Sequence, residues 1–391
     1  MKGKGQGREG WTRREFVAVG GVGLLASTNA FGQETALRAA VIGHTGRGDY
    51  GHGMERVFRG RSGIEVVAVA DPDEAGRGRV ARFQGIARGY ADWRDMLEKE
   101  RPQLVSVGMR HADQHAEVAL GCLRAGAHVY LEKPFVRSPD EADAVLAEAS
   151  KRGLKLAVAH TMRVMPVVKR LKGALAEGLI GELREMRAYG KQDARAGGED
   201  LMVLGSHLFD LMRMMSGDPE WVTARVMTGG REIRVEDRRL VKDNVGWVAG
   251  EQVFAHFGFA NGVNATFTSD SGLKEVSGHW GIEFLGSRGV ARLNGDLVPR
   301  VSVRMGAGGW VPGKKVEWKP LDPALADSAP DPQAGPVDDW LESIRTGREP
   351  ECSGRNGAWT VEMVLGIYRA SMEGRRVAFP LVDRRHPLGP A

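Results

Sequence analysis

The stretch "AAVIGHTGRGDYGHG", Ala39 to Gly53, joins a short apolar run to five glycines. A buried strand that ends in such a turn needs a backbone free to take left-handed angles, with nothing bulky beside it. The apolar run has successors. "IEVVAVADPD", "QLVSVG", "AHVYLEKP" and "LKLAVAH" follow at intervals, separated by helical stretches such as Pro139 to Lys151. Strands of this kind alternating with helices predict a parallel, doubly wound α/β sheet over residues 36–160.

The glycines fit that sheet in two registers. Gly43-His44-Thr45-Gly46-Arg47-Gly48 follows the strand directly, with Thr45 at the place of a second glycine. Gly46-Arg47-Gly48-Asp49-Tyr50-Gly51 is a literal GxGxxG but starts three residues late. The first register is preferred, because the tight turn must follow the strand. Gly43, Thr45, Gly46, Arg47 and Gly48 then form a phosphate cradle leading into the N-terminus of the next helix. The competing reading is a glycine turn that binds nothing. Asp71, at the end of the second strand, favours the cradle, since a carboxylate there accepts both ribose hydroxyls. It also repels a 2′-phosphate, so NAD is expected over NADP. The plainer reading of Asp71 is a turn residue before Pro72.

The chain has 391 residues, enough for two domains with separate cores. A net charge of +5 looks basic, but residues 1–30 carry five basic and two acidic side chains. What remains is too small a surplus to point to nucleic acid. Cys122 and Cys352 give neither zinc spacing nor a disulfide framework, so no metal site is expected and the pair reads as two buried thiols. The first thirty residues combine a basic start, the paired arginines of "TRREF", and an apolar stretch, Phe16 to Leu25, too short to span a bilayer. With the small residues Ser27 to Ala30 they predict a twin-arginine export signal over 1–30 and a periplasmic or exported product. An unused signal would leave the chain in the cytoplasm. No other segment is expected to insert stably in a membrane.

Beyond residue 160 the pattern changes. "WVTARVMTGG", "EQVFAHFGFA", "GVNATFTSD" and "WGIEFLG" read as strands, and Ala260-Asn261-Gly262 as a hairpin turn. Leu321 to Pro336 reads as a surface loop before two last helices. Leu201, Leu204, Leu208, Leu211 and Met215 form a helical core stripe, and His207 lies off it.

"AGAHVYLEKPFVRSPDEADAVLAEA", with "HADQHAEVALGCLRAG" before it and "GSHLFDLMRMMSGDP" after it, resembles the Gfo/Idh/MocA oxidoreductases. The ending "WLESIRTGREPECSGRNGAWTVEMVLGIYRAS" fits the same family, so the resemblance runs from Leu37 to Leu381. It implies an N-terminal Rossmann dinucleotide-binding domain over 36–160. A C-terminal α/β domain with an open, mostly antiparallel sheet follows over 161–381, its last helices able to pack back on the first domain. The lysine of Glu132-Lys133-Pro134 matches the family lysine near nicotinamide and substrate, and its peptide with Pro134 is often cis in the family. His207 matches the histidine of the family's Asp-x-x-x-His pair, but the aspartate position is Val203. Asp200 is a stand-in candidate, although about 10 Å of regular helix would separate it from His207. Lys191, Gln192, Asp193 and Glu199 are further candidates near the same helix. His160 and Arg163 are expected to line the substrate pocket. Arg110, Asp113 and His115 follow a strand's carboxyl end, where Arg110 and His115 are expected at the cofactor.

The resemblance implies an NAD(H)-dependent oxidoreductase acting on a carbohydrate, polyol or related hydroxyl compound. Behind an export leader, no NAD pool is available for exchange, so the cofactor is expected to be bound before export and kept. That constraint favours redox-neutral chemistry. The first alternative is therefore an NAD-dependent glycoside hydrolase or lyase working by transient oxidation. The second is a non-catalytic nucleotide- or sugar-binding protein. The expected partners are a small carbohydrate-like substrate, the twin-arginine machinery and further copies of the chain.

Overall fold

A computed structural model describes residues 36–275, 280–295, 299–306, 317–325 and 331–389. The leader over 1–30 lies outside the described residues, as does part of the loop Leu321 to Pro336. The first sheet contains β1 (Leu37–Ile42), β2 (Ile64–Ala70), β3 (Gly89–Tyr90), β4 (Leu104–Val107), β5 (His128–Leu131) and β6 (Leu156–Val158). Its six strands are parallel in the order β3-β2-β1-β4-β5-β6. The crossovers include α1 (Glu74–Gln84), α2 (Trp93–Glu100), α3 (His115–Arg124) and α4 (Pro139–Arg152). Local chemistry sets their ends. The Asp73 carboxylate caps α1 by accepting from Gly76 N–H, and α4 starts on Pro139 and stops at Gly153, whose φ is 64°. Strand order reverses between β1 and β4, so the loops after these two strands border the ligand crevice of such a sheet.

The helix expected after β1 does not form. Gly46, Gly48, Gly51 and Gly53 all take left-handed φ between 56° and 86°, and Asp49 joins them at 52°. A right-handed helix cannot propagate through left-handed residues so closely spaced. The segment turns repeatedly and ends in three 3₁₀ residues, Met54–Arg56.

After α5 (Pro166–Ala176), strand β7 (Leu183–Tyr189) opens the second sheet. Three helical pieces follow in one continuous stretch: α6 (Gly198–Asp200), a π-helical turn (Leu201–Gly205) and α7 (Ser206–Ser216). The sheet adds β8 (Pro219–Thr228), β9 (Arg231–Glu232), β10 (Gln252–Phe259), β11 (Asn264–Asp270), β12 (Gly281–Gly286), β13 (Gly289–Asn294), β14 (Arg300–Met305) and β15 (Lys319–Pro320). Helices α8 (Ala334–Thr346) and α9 (Gly354–Glu373) follow, and β16 (Val377–Ala378) completes ten strands among the described residues. Among the described residues of this sheet only β7 and β11 pair in parallel; every other neighbour is antiparallel. Along β10 the alternation is plain: Val253, Ala255 and Phe257 are buried, while Phe254 is exposed. The buried face meets α7 through Phe209, whose ring lies 5.7 Å from Phe257 and 4.9 Å from Phe267.

Helix α9 serves both sheets. Gly354 and Gly357 let it lie against the first, where a Cβ would come within 2.6 Å of Leu156 and 2.9 Å of Val158. Val158 N–H donates to Cys352 O at 2.7 Å just before the helix. Both cysteines are buried and free. No described helix is long and apolar enough to cross a membrane.

Candidate active site

The loops after β1 and β4 are tied together at the crevice. Arg47 pairs with Asp113, and His44 Nδ1 bonds Gln114 Oε1 at 3.0 Å. Gly48 lies directly on the next loop, since a Cβ there would stand 2.6 Å from Arg110 N. This brings Arg47, Gly48 and Arg110 together, as the sequence suggested, but the rest of the cradle differs. The N–H groups of Thr45, Gly46 and Arg47 donate to the Asp71 carboxylate, the Asp49 carboxylate and His44 O. They hold the turn together, and the open part of the cradle is its Gly48 end.

Asp71 must be corrected with them. It is fully buried, and its carboxylate accepts from Thr45 N–H at 3.1 Å, Thr45 Oγ1 at 2.7 Å and Asp73 N–H at 3.0 Å. With these donors satisfied it braces the turn and does not offer both oxygens to a ribose. His115 also leaves the cofactor set. Its ring is buried, with Nδ1 2.8 Å from Pro134 O and Nε2 2.7 Å from Met109 O, so it fastens the β5 turn to the β4 loop. Arg163 is likewise committed. Its guanidinium grips the buried Asp210 carboxylate at 2.7 to 3.1 Å and is not available to a substrate.

The deeper site forms where β5 ends. Glu132 is fully buried and the Lys133–Pro134 peptide is cis. Lys133 Nζ donates to Val203 O at 3.2 Å. The residue at the family's aspartate position thus meets the lysine through its main chain, within the π-helical turn. Across from it the rings of His160 and His207 stand edge to face, 5.5 Å apart, and Trp280 meets His207 at 6.2 Å. Asp200 does not reach His207. Its Oδ2 accepts from Lys191 N–H at 3.0 Å and Ser269 Oγ at 2.8 Å. Lys191 Nζ stands 3.5 Å from Asp193, which also pairs with Arg195 at 3.2 Å, so these charges largely answer one another on the loop.

Burial governs the electrostatics. It drives the His160 imidazole down to about 4 and His207 well below its usual range, where the Lys133 charge acts in the same direction. Both rings are neutral near pH 7. Burial also pulls the Lys133 ammonium below its ordinary value, with the Glu132 and Asp243 carboxylates opposing. Such a shift suits the Lys133 amine to exchange a proton with a bound hydroxyl.

Burial pushes the Asp200 carboxyl up to about 6. A raised carboxyl keeps its proton in the folded state after the unfolded chain has lost it. Stability is therefore fullest below the unfolded value and declines as pH rises to about 6. Asp200→Asn should remove that decline. Thermal midpoints of wild type and variant, compared across this window, should diverge as pH rises, with the variant the more stable at neutral pH.

Sequence reasoning missed His52, whose Nδ1 lies 2.6 Å from Glu132 Oε1, and Trp280. Only the glycines flanking His52 hinted at its placement. Several buried polar atoms have no partner among the described residues: Arg47 Nε, Arg110 Nε and Asp113 Oδ1 at the crevice, with Glu132 Oε2, His160 Nε2 and His207 Nδ1 deeper. Each orphan costs about 1–3 kcal/mol. Two such sets, in adjoining places, fit a dinucleotide along the crevice and a polar substrate beyond it.

Fold and site together define a dinucleotide-dependent oxidoreductase built on two sheets. Residues 37–160 match the oxidoreductase family with an NAD-binding Rossmann fold, and residues 168–292 match the GFO/IDH/MocA C-terminal domain. The chain belongs to the Gfo/Idh/MocA oxidoreductase family, and its cofactor is NAD. It is 24% identical to D-apiose dehydrogenase of Paraburkholderia graminis over 88% of this chain and 90% of that protein. It is 32% identical to trans-1,2-dihydrobenzene-1,2-diol dehydrogenase of Bos taurus over 42% of this chain and 52% of that protein. Levoglucosan dehydrogenase in complex with NADH and L-sorbose shares the fold, with a TM-score of 0.71 at 19% identity, over 88% of this chain and 99% of that one.

Proposed function

We propose that this protein oxidises a CH–OH carbon of a carbohydrate or polyol, using NAD that it carries through export. The observation that supports the chemistry most is the buried Lys133, hydrogen-bonded to the Val203 carbonyl and near enough to His160 and His207 for its charge to act on both rings. Arg47, Gly48 and Arg110 would hold the dinucleotide at the crevice, which supplies a hydride acceptor when filled. Lys133, in its unprotonated form, accepts the hydroxyl proton. His207 and His160 fix the hydroxyl by hydrogen bonds, and the indole of Trp280 closes one side of the pocket.

The twin-arginine leader supports the second half of the reading. A protein exported with its cofactor must release it slowly, and affinity differences within a fold are expressed mostly in off-rate. The open face of the second sheet, where Phe254 is exposed on the side of Trp221 and His256, we assign to contact with another copy.

Mature protein recovered from the periplasm should carry nearly one nucleotide per chain after desalting, identified as NAD by mass. Protein that arrives empty, or a leader whose function survives loss of Arg13 and Arg14, would contradict the retained-cofactor reading. Product analysis then separates the chemistries: a keto sugar or lactone marks a dehydrogenase, a freed aglycone a hydrolase.

A further inference from the structure

We propose that His52 is the proton outlet of this site, held by Glu132 so that it carries the proton released at each oxidation from the buried lysine to solvent. The inference rests on the oxidoreductase reading above. Oxidising CH–OH breaks an O–H bond as well as a C–H bond. The C–H electron pair leaves as hydride, and the hydroxyl proton passes to the Lys133 amine. That proton cannot stay. Lys133 is only 8% exposed, and an ammonium in such surroundings must be discharged before the next turnover. His160 and His207 are poor receivers because burial holds both rings neutral.

His52 differs from them in one respect. Its side chain is 48% exposed, yet Nδ1 sits 2.6 Å from the carboxylate of Glu132, which is itself fully buried. A buried carboxylate in this position accepts from Nδ1–H and so fixes that tautomer of the ring. It leaves Nε2 as the base. That nitrogen carries no hydrogen bond among the described residues. The proton therefore passes from Lys133 through crevice water to His52 Nε2 and on to bulk buffer. Each oxidation ends with Lys133 and His52 back in their starting forms and the cofactor reduced, and a second carbonyl substrate or exchange for NAD⁺ takes the hydride before the next.

The fold places this pair deliberately. Gly51, at φ 56°, lets the turn approach so closely that a Cβ would stand 2.5 Å from Gly108 O and 3.0 Å from Glu132 Oε2. Gln333, at the start of α8, braces both partners. Its Nε2 donates to His52 O at 3.1 Å, and its Oε1 accepts from Tyr130 on β5 at 2.6 Å, two residues before Glu132. Of the other titratable groups, His207 on α7 lies close enough to feel the charge of His52, and Lys133 acts on the same ring. The glycine turn that replaced the expected helix is what delivers an imidazole here. With Val203 where an aspartate would otherwise accept protons, the route through His52 takes over that task.

Two measurements test the proposal. In protein reconstituted with NAD⁺ and labelled with ¹⁵N-histidine, the His52 Nδ1 proton should resonate far downfield and move upfield in Glu132→Gln. A resonance unchanged by that substitution overturns the dyad whatever the substrate. With a polyol that wild type oxidises, His52→Ala and His52→Gln should lose ~10–100-fold in kcat with KM within about twofold. Added imidazole should restore His52→Ala, and NADH affinity should stay unchanged in both. Full activity in either variant, or a loss that imidazole does not relieve, overturns the outlet. If wild type oxidises no polyol at all, the oxidoreductase reading fails instead, and the resonance still decides the pairing.

Discussion

Lys133→Met should lower kcat by ~10²–10⁴-fold while NADH affinity and thermal midpoint stay close to wild type. The expectation follows from what surrounds the side chain. Among the described residues the Lys133 amine makes one hydrogen bond, to Val203 O, and its ammonium is disfavoured by burial. Methionine fills a similar volume without a proton to exchange, so packing survives and chemistry does not. Arginine is no substitute, because it stays protonated at every working pH. Stopped-flow absorbance of NADH separates the loss of the chemical step from any loss of binding. A variant that keeps its turnover would move proton transfer to the Lys191–Asp193 loop.

The second large effect is on stability. Arg163 and Asp210 form a pair whose side chains are 10% and 2% exposed, joined by several hydrogen bonds and anchored further by Asp210 O. Removing one charge leaves the other buried and uncompensated. Asp210→Asn should therefore cost about 3–5 kcal/mol and lower the thermal midpoint by roughly 5–10 °C. The double variant Arg163→Met, Asp210→Leu should recover most of the loss, since apolar replacement of a whole buried pair is often neutral or better. Calorimetry of the two variants checks both statements. An Asp210→Asn protein as stable as wild type would mean that Arg163 finds another partner and is free to serve a ligand.

The parallel sheet was legible because buried strands and helices leave different periodicities in a short window. The Glu132-Lys133-Pro134 turn and His207 were legible as a family pattern, and the structure brings Lys133 near enough to act on the His207 ring. What escaped was set by partners far away in sequence. Asp71 reads as a ribose ligand until Thr45, 26 residues earlier, takes its oxygens. Arg163 and His115 read as site residues until Asp210 and the Pro134 carbonyl claim them. His52 meets Glu132 across 80 residues, a contact no local pattern announces. The π-helical turn over Leu201–Gly205 escaped as well, since the leucine spacing fits a regular helix equally well.

The expected reaction is loss of a CH–OH proton to Lys133, with NAD held in the crevice after β1 and β4 to supply the hydride acceptor. Its most direct test mixes the nucleotide-loaded protein, with no free NAD⁺ present, with each member of a panel of sugars and polyols while absorbance of bound NADH is followed. One member of the panel should reduce close to one equivalent of bound cofactor in wild type and none in Lys133→Met. Firm NAD binding without reduction by any sugar or polyol would contradict it, and would leave a non-catalytic binding protein on the same fold.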